Sequence, residues 1–232
     1  MEAIILAGGF GTRLRSVVAD RPKALAPING RPFLEYQLDR LIGQGIGAFV
    51  FSVGYRAGMI EEHFGASYRG VPIRYAHEAE PLGTGGGIAN ALPLTTGDHV
   101  YVVNGDSLFL TPLPPQLALH LRTGALITLA LRPMENFARY GRVETNDDSR
   151  ITAFREKEPV AAGNINGGVY LLRRDAFRRA GLSGKFSLEN DLFAARAADL
   201  PLYAVVHDGY FLDIGVPADF ARAQDDFAGL DL

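Results

Sequence analysis

Apolar residues arrive along this chain in short runs, and segments with helical spacing separate them. MEAIIL reads as a buried parallel strand. PFLEYQLDRLIGQGI then places Phe33, Leu34, Leu38, Leu41 and Ile42 on one face of a helix. AFVFSV, VPIRYAHE and HVYVVNG are strand-like. RAGMIEEHF, closed by Gly65, and GGGIANALP are short helices between them. This alternation predicts an α/β domain built on a mostly parallel sheet with helices on both sides. Right-handed crossovers would gather the loops beyond the strands' carboxyl ends into one crevice, the usual ligand site of open α/β sheets.

From about residue 125 the pattern changes. ALITLALRP, YGRVETN, RITAFRE and NINGGVYLLRR follow one another as strands, which predicts a mixed or antiparallel extension. TNDDSR reads as an exposed hairpin tip, and FSLENDLFAARAAD and PADFARAQDDF as late helices. The expected organisation is one domain over 1–232, with two halves, over about 1–124 and about 125–232.

Composition narrows the classes. At 232 residues, 47% hydrophobic and 21% charged, the chain can bury a sizeable core as a single domain. A net charge of −3 without any basic run gives no reason to expect nucleic acid. No apolar stretch approaches membrane-spanning length, and the opening run stops at Gly8 without a basic leader, so a cytoplasmic location is the default. The absence of cysteine removes disulfides, zinc–thiolate sites and thiol nucleophiles. A homo-oligomer is compatible with all of this.

The candidate chemistry begins where MEAIIL breaks into Ala7, Gly8, Gly9, Phe10 and Gly11, followed by Thr12, Arg13 and, ten positions on, Lys23. Glycines let backbone N–H groups approach a phosphate. Arg13 offers a planar fork for two oxygens, and Lys23 a point charge. The segment is not a P-loop, which needs G-K-[ST], nor a dinucleotide fingerprint, because Leu14 stands where its third glycine belongs. On the glycines alone, a tight strand-to-helix turn with a solvated arginine is equally compatible. With Arg13 and Arg21-Pro22-Lys23 included, the phosphate reading leads.

Asp106 and Asp213 each end an apolar strand-like run, HVYVVNGD and GYFLD, more than a hundred positions apart. Magnesium is typically held by one or two carboxylates, with phosphates and waters completing the octahedron. Helix capping for Asp106 and a turn role for Asp213 are the alternatives. A second glycine-rich loop runs from Glu80 to Gly87, where a flat base could lie against the backbone or the loop could simply precede a helix. Glu156 and Lys157 in FREKE could reach a second ligand, and Gly141 and Gly168 could allow its close approach. A solvated surface lysine is the other reading of Lys157. The five histidines show no ligand spacing, and no hydrolase triad or zinc motif is visible.

Taken in order, LAGGFGTRL…RPK, EPLGTGGGI, VVNGD, FREKE, NGGVYLL and FLDIG resemble the sugar-1-phosphate nucleotidyltransferases over essentially the whole chain. The resemblance implies a Rossmann-like α/β domain with a mixed, mostly parallel central sheet. It also implies a nucleotide-binding half over about 1–124, a sugar-phosphate-binding half over about 125–232, and residue roles. Leu6, Ala7, Gly8, Gly9, Gly11, Thr12 and Arg13 would cradle a nucleoside triphosphate. Glu78, Leu82, Gly83 and Thr84, with Asn104 and Gly105, would complete the nucleotide site. Arg13, Lys23 and Asp106 would be catalytic, and Asp106 and Asp213 would ligate Mg2+. Tyr140, Gly141, Glu156, Lys157, Asn166, Gly167 and Gly168 would hold the sugar phosphate. Ala24 departs from the proline that many relatives carry after the lysine.

Within that family, YGRVE, NGGVYLL and FLDIGVPADF are most similar to small guanylyltransferases acting on a heptose 1-phosphate. This implies GTP and D-glycero-α-D-manno-heptose 1-phosphate as substrates, with Glu78, Glu80 or loop carbonyls accepting from guanine. Mannose 1-phosphate, or UTP, CTP or dTTP, is the alternative pairing. A nucleotide-sugar-binding regulatory module without turnover is the alternative class, which the intact set of Arg13, Lys23, Asp106 and Asp213 disfavours. A dinucleotide-dependent oxidoreductase is weakened by the missing third glycine.

Overall fold

A computed structural model describes residues 1–14 and 16–230, with only the backbone described at 156 and 157. The first half runs β1 (Glu2–Leu6), β2 (Pro27–Ile28), β3 (Arg31–Pro32), α1 (Phe33–Gly43), β4 (Ala48–Val53), α2 (Ala57–Phe64), β5 (Ser67–Tyr68), β6 (Val71–His77), α3 (Gly83–Ala91), β7 (His99–Asn104), β8 (Ser107–Phe109) and α4 (Leu113–Thr123). The second half runs β9 (Ile127–Phe137), β10 (Gly141–Thr145), β11 (Ile151–Lys157), β12 (Val160–Arg173), α5 (Ala176–Ala180), a π-helical turn over Leu188–Ala194, β13 (Leu202–Val206), β14 (Phe211–Asp213) and α6 (Pro217–Asp226).

The central sheet is mixed. Strands β6, β4, β1 and β7 are parallel neighbours, joined through α1 to α3. The long β12 then enters antiparallel beside β7, and β9 pairs antiparallel with its far edge. β13 adds parallel to β9. The amino-terminal part of β12 instead pairs with β10, which carries β11, so a small antiparallel lobe grows from the lower half of one strand. The mostly parallel core and the antiparallel extension match the sequence reading.

Alternation along β1 shows how the core is divided. Ile4 joins Val50, Val102, Ile88 and Ala91 on the α3 face, whereas Ala3 and Ile5 join Phe49, Phe51, Leu34, Leu38 and Ile60 on the α1 and α2 face. Side chains alternate across a strand, so a sheet buried on both faces needs apolar residues at every position. Strand β4 is buried at all six. A third, smaller cluster lies apart, made of Leu14, Val18, Ile28, Phe33, Leu108, Leu212, Ile214, Ala223 and Phe227. It sits beneath a two-stranded antiparallel ladder of β8 and β14, in which Asp213 opposes Ser107.

The structure adds elements that the hydrophobic pattern left unassigned. Helix α4, strand β8 and its pairing with β14 are new; β14 itself is the strand-like GYFLD run. FSLENDLFAARAAD is helical only from Leu188, and its Phe186–Ser187 start is extended against α3.

Candidate active site

The carboxyl ends of the four parallel strands open into one cleft of about 1090 Å3. Leu6 leads from β1 into Ala7, Gly8, Gly9 and Gly11. Tyr55 follows β4, Glu78 follows β6, and Asn104 with Gly105 and Asp106 follows β7; all line the cleft. Tyr140, Gly141, Asn166 and Asp213 enter from the second half. The crevice expected from the crossovers is therefore present, and residues named from both halves of the sequence meet in it.

The charged floor rests on the small third cluster. Leu14 is buried in that cluster beside Arg13, Leu108 lies two residues beyond Asp106, and Leu212 and Ile214 flank Asp213. The Ile214 N–H donates to the Asp106 carbonyl at 3.0 Å, continuing the β8–β14 ladder and bringing the two aspartates side by side. Asp213 Oδ1 also accepts from the Gly215 N–H at 2.7 Å. The turn role thus holds for this residue together with its place in the cleft.

Burial raises the Asp213 carboxyl above its ordinary range, and the Asp106 charge adds to the effect; the Gly215 N–H, Lys23 and Arg13 oppose it. Lys23 Nζ lies 3.0 Å from Asp106 Oδ2. Two hard carboxylates, one of them destabilised by its neighbour's negative charge, are a donor set suited to a divalent cation completed by phosphate oxygens. Among the described residues no cluster of three or more His, Cys, Asp or Glu could hold a metal by itself.

Glu78 has a different geometry from a free base acceptor. Its Oε1 accepts from Ser52 Oγ at 3.0 Å, and its Oε2 accepts from the Leu82 N–H at 3.0 Å. A Cβ on Gly8 or on Gly87 would come within 2.8 Å of Oε1, so the carboxylate is wedged between the two glycine-rich loops and ties them together. The second loop is clasped from its other side. The Gly85 and Gly86 N–H groups share the Phe186 carbonyl at 3.1 Å, and the Phe186 N–H returns to the Leu82 carbonyl at 3.0 Å. Thr84 Oγ1 donates to Glu189 Oε2 at 2.7 Å, while Leu188 N–H donates back to Thr84 Oγ1 at 2.9 Å.

Of the remaining expected residues, Thr12 is exposed on a 3-10 turn and does not line the cleft. Leu82 stands behind the loop as its backbone anchor. Gly167 and Gly168 also lie off the cleft, in the irregularity of β12 between Asn166 and Tyr170. Gly167 leaves room for the Phe109 ring, and Gly168 holds a positive φ of 73° against Asn104. The side chains of Glu156 and Lys157 are outside the described residues.

Several cleft residues carried no readable signal. Tyr55, Arg139, Arg155, Glu189 and Phe211 line it as well. Arg139 is held by Asp219 at 2.5 Å and by the Tyr140 hydroxyl at 2.8 Å. The Tyr140 phenol is pushed up by burial and by the Asp213 charge, and Tyr140 packs edge-on against Phe211. Only the position of Arg139 directly before Tyr140-Gly141 hinted at its place.

Comparison with known proteins fits this geometry. The chain is 48% identical over 97% of its length, and 97% of the relative's, to D-glycero-alpha-D-manno-heptose 1-phosphate guanylyltransferase of Aneurinibacillus thermoaerophilus. It is 42% identical to the protein of the same name from Campylobacter jejuni, over 95% of this chain and 97% of the relative. The crystal structure of HddC from Yersinia pseudotuberculosis, complexed with GMP-PN, superposes with a TM-score of 0.85 at 31% identity, covering 97% of this chain and 99% of that one. The nucleotidyl transferase family model matches residues 2–229. The chain therefore belongs to the nucleotidyl transferase family and is an enzyme of the sugar-phosphate nucleotidyltransferase type.

Proposed function

We propose that this enzyme transfers GMP from GTP to D-glycero-α-D-manno-heptose 1-phosphate, releasing pyrophosphate. The observation that carries the transfer is the convergence of the glycine loop, Arg13, Lys23, Asp106 and Asp213 in one cleft. The guanine and heptose assignments are supported by the names of the relatives at 48% and 42% identity. A chain that lines its cleft with both cations and both carboxylates is equipped for turnover, which disfavours a binding-only module.

A phosphate oxygen of the sugar substrate is already anionic at neutral pH, so attack on the α-phosphorus needs no strong general base. The barrier is mainly repulsion between two polyanions and the entropy of aligning them in line. Arg13 and Lys23 would hold the triphosphate and offset charge developing on the leaving pyrophosphate. Asp106 and Asp213 would hold Mg2+, which when bound neutralises phosphate charge. Lys157, Asn166, Tyr140 and Gly141 would orient the sugar phosphate. Glu78 serves this reading by fixing both loops around the base, and loop carbonyls with Glu80 remain to accept from guanine. Among the described residues no helix is long and apolar enough to cross a membrane, and dependence on a nucleoside triphosphate supports a cytoplasmic location.

Pyrophosphate release from heptose and mannose 1-phosphates, each with GTP, UTP, CTP and dTTP, tests the assignment. The expected outcome is the highest kcat/KM for GTP with the heptose. A mannose 1-phosphate that equals the heptose overturns the sugar, and another triphosphate that beats GTP overturns the base.

A further inference from the structure

Helix α1 carries a polar stripe, buried at Gln37 and half-buried at Arg40 and Gln44, that no substrate-facing role uses. Gln37 is buried, yet it lies on the face of α1 that otherwise packs Leu34, Leu38 and Leu41. Its Nε2 donates to the Asn104 carbonyl at 2.9 Å and to the Ser107 carbonyl at 2.6 Å. Those carbonyls flank Gly105 and Asp106. One helical turn on, Arg40 donates to the Thr111 carbonyl. Gln44 accepts from the Leu113 N–H through Oε1 at 2.7 Å and reaches Thr111 O through Nε2 at 3.4 Å. Residues at i, i+3 and i+7 share one helix face, so the stripe runs alongside the chain from Asn104 to Leu113 and satisfies its backbone groups.

Such a stripe has a cost. Arg40 is desolvated enough to bring its guanidinium down to about 10, and Gln37 Oε1 has no hydrogen-bond partner among the described residues. Leaving one buried amide oxygen unpaired costs free energy, which the hydrogen bonds donated by the same amide offset. The Gln37 donors close the turn between β7 and β8. Two backbone bonds also support that turn: the Gly105 N–H donates to Leu6 O at 2.9 Å, and the Ile214 N–H donates to Asp106 O at 3.0 Å; Lys23 Nζ and Ser107 Oγ reach the Asp106 carboxylate itself, at 3.0 and 3.4 Å. A Cβ at Gly105 would fall 2.6 Å from Leu6 O, so the turn is already drawn tight against β1. Gln37 is the side chain that holds its far end.

We infer that Gln37 is a positioning residue: through the carbonyls of Asn104 and Ser107 it sets the carboxylate of Asp106 for a divalent cation. This rests on the reading of Asp106 as a metal-holding residue. Groups that orient metal ligands typically change metal affinity or activity 10- to 100-fold when removed.

The protein contains its own control. Gln116 of α4 is equally buried, also donates through Nε2 to two strand carbonyls, Thr128 O at 2.7 Å and Val169 O at 3.3 Å, and also leaves Oε1 unpartnered. Gln37→Met, Gln116→Met and Asp106→Asn are compared by Mn2+ binding, read from the paramagnetic signal of free Mn2+ in the presence of GTP, and by the Mg2+ concentration for half-maximal pyrophosphate release. Gln37→Met should raise both metal concentrations about 10- to 100-fold, with KM for GTP at saturating Mg2+ little changed. Gln116→Met should lower the melting temperature without moving either metal curve. Equal metal shifts in the two glutamine variants, or none in Gln37→Met, overturn the inference. Metal binding and turnover that survive in Asp106→Asn overturn the underlying reading instead. Should Gln37→Met fail to fold, Gln37→Asn replaces it: its shorter amide cannot span both carbonyls, so its metal concentrations should fall between wild type and the roughly tenfold shift, and wild-type values overturn the inference.

Discussion

Asp213 answers to two opposing demands. On the proposed reading it stays close to Asp106 to share a cation, and burial together with that closeness makes its ionised form unfavourable. Its folded-state pKa is raised, so the folded protein loses stability as pH climbs from the ordinary carboxylate value through the raised one. Asp213→Asn keeps an oxygen for the Gly215 N–H and removes the charge. The variant should melt at a higher temperature than wild type at pH 7 in metal-free buffer, while its turnover falls by at least about 10²-fold. A melting temperature equal to or below that of wild type would show that charge crowding is not a cost at this position. Asp106 and Asp213 were legible as cleft residues because each closes an apolar run; Asp106 follows a strand of the central sheet, whereas Asp213 ends a strand of the separate β8–β14 ladder. The role of Glu78 was not. Its engagement with Ser52 and Leu82, between Gly8 and Gly87, depends on how β1, β4 and α3 pack, and local sequence carries no trace of that.

Helices and strands with long apolar periods were readable as elements. The short ones that finish the site were not. Strand β8 has three residues and no period to detect, and although GYFLD was strand-like, nothing local shows that β14 pairs with β8 across a hundred positions. Helix α4 was hidden by Pro114 and Pro115 in its first turn, where proline is compatible with a helix but reads as a break. The same helix contributes a buried imidazole. His120 contacts the Thr128 hydroxyl at 2.8 Å and the His99 ring at 3.0 Å, and burial with His99 and Arg173 lowers its pKa from 6.5 to about 4. The depressed value means that its contribution to stability is complete above pH 6.5 and is lost as pH falls toward 4, up to about 3 kcal/mol. Urea midpoints measured from pH 7.5 to 4.5 should fall more steeply for wild type than for His120→Gln. Parallel curves would remove His120 from the acid response.

At the scale of the whole molecule, two large clusters sandwich the sheet and a third stands apart under the β8–β14 ladder. Elements with fewer buried apolar contacts open at lower free energy than the global transition. Native-state hydrogen exchange should therefore find the Ile4, Val50 and Val102 amides exchanging only by global unfolding. The Leu212 and Ile214 amides should exchange through a smaller opening, which GTP with Mg2+ suppresses. Uniform exchange free energies across both groups would mean that the small cluster is not a separate unit.

The ladder that joins Asp106 to Asp213 also has a direction in time. Asp213 is the last cleft residue in chain order, and every other member of the site, from Leu6 to Phe211, leaves the ribosome before it. A nascent chain already has its glycine loop, Lys23 and Asp106 while still lacking the second carboxylate. The cleft is therefore complete only once β14 has docked beside β8.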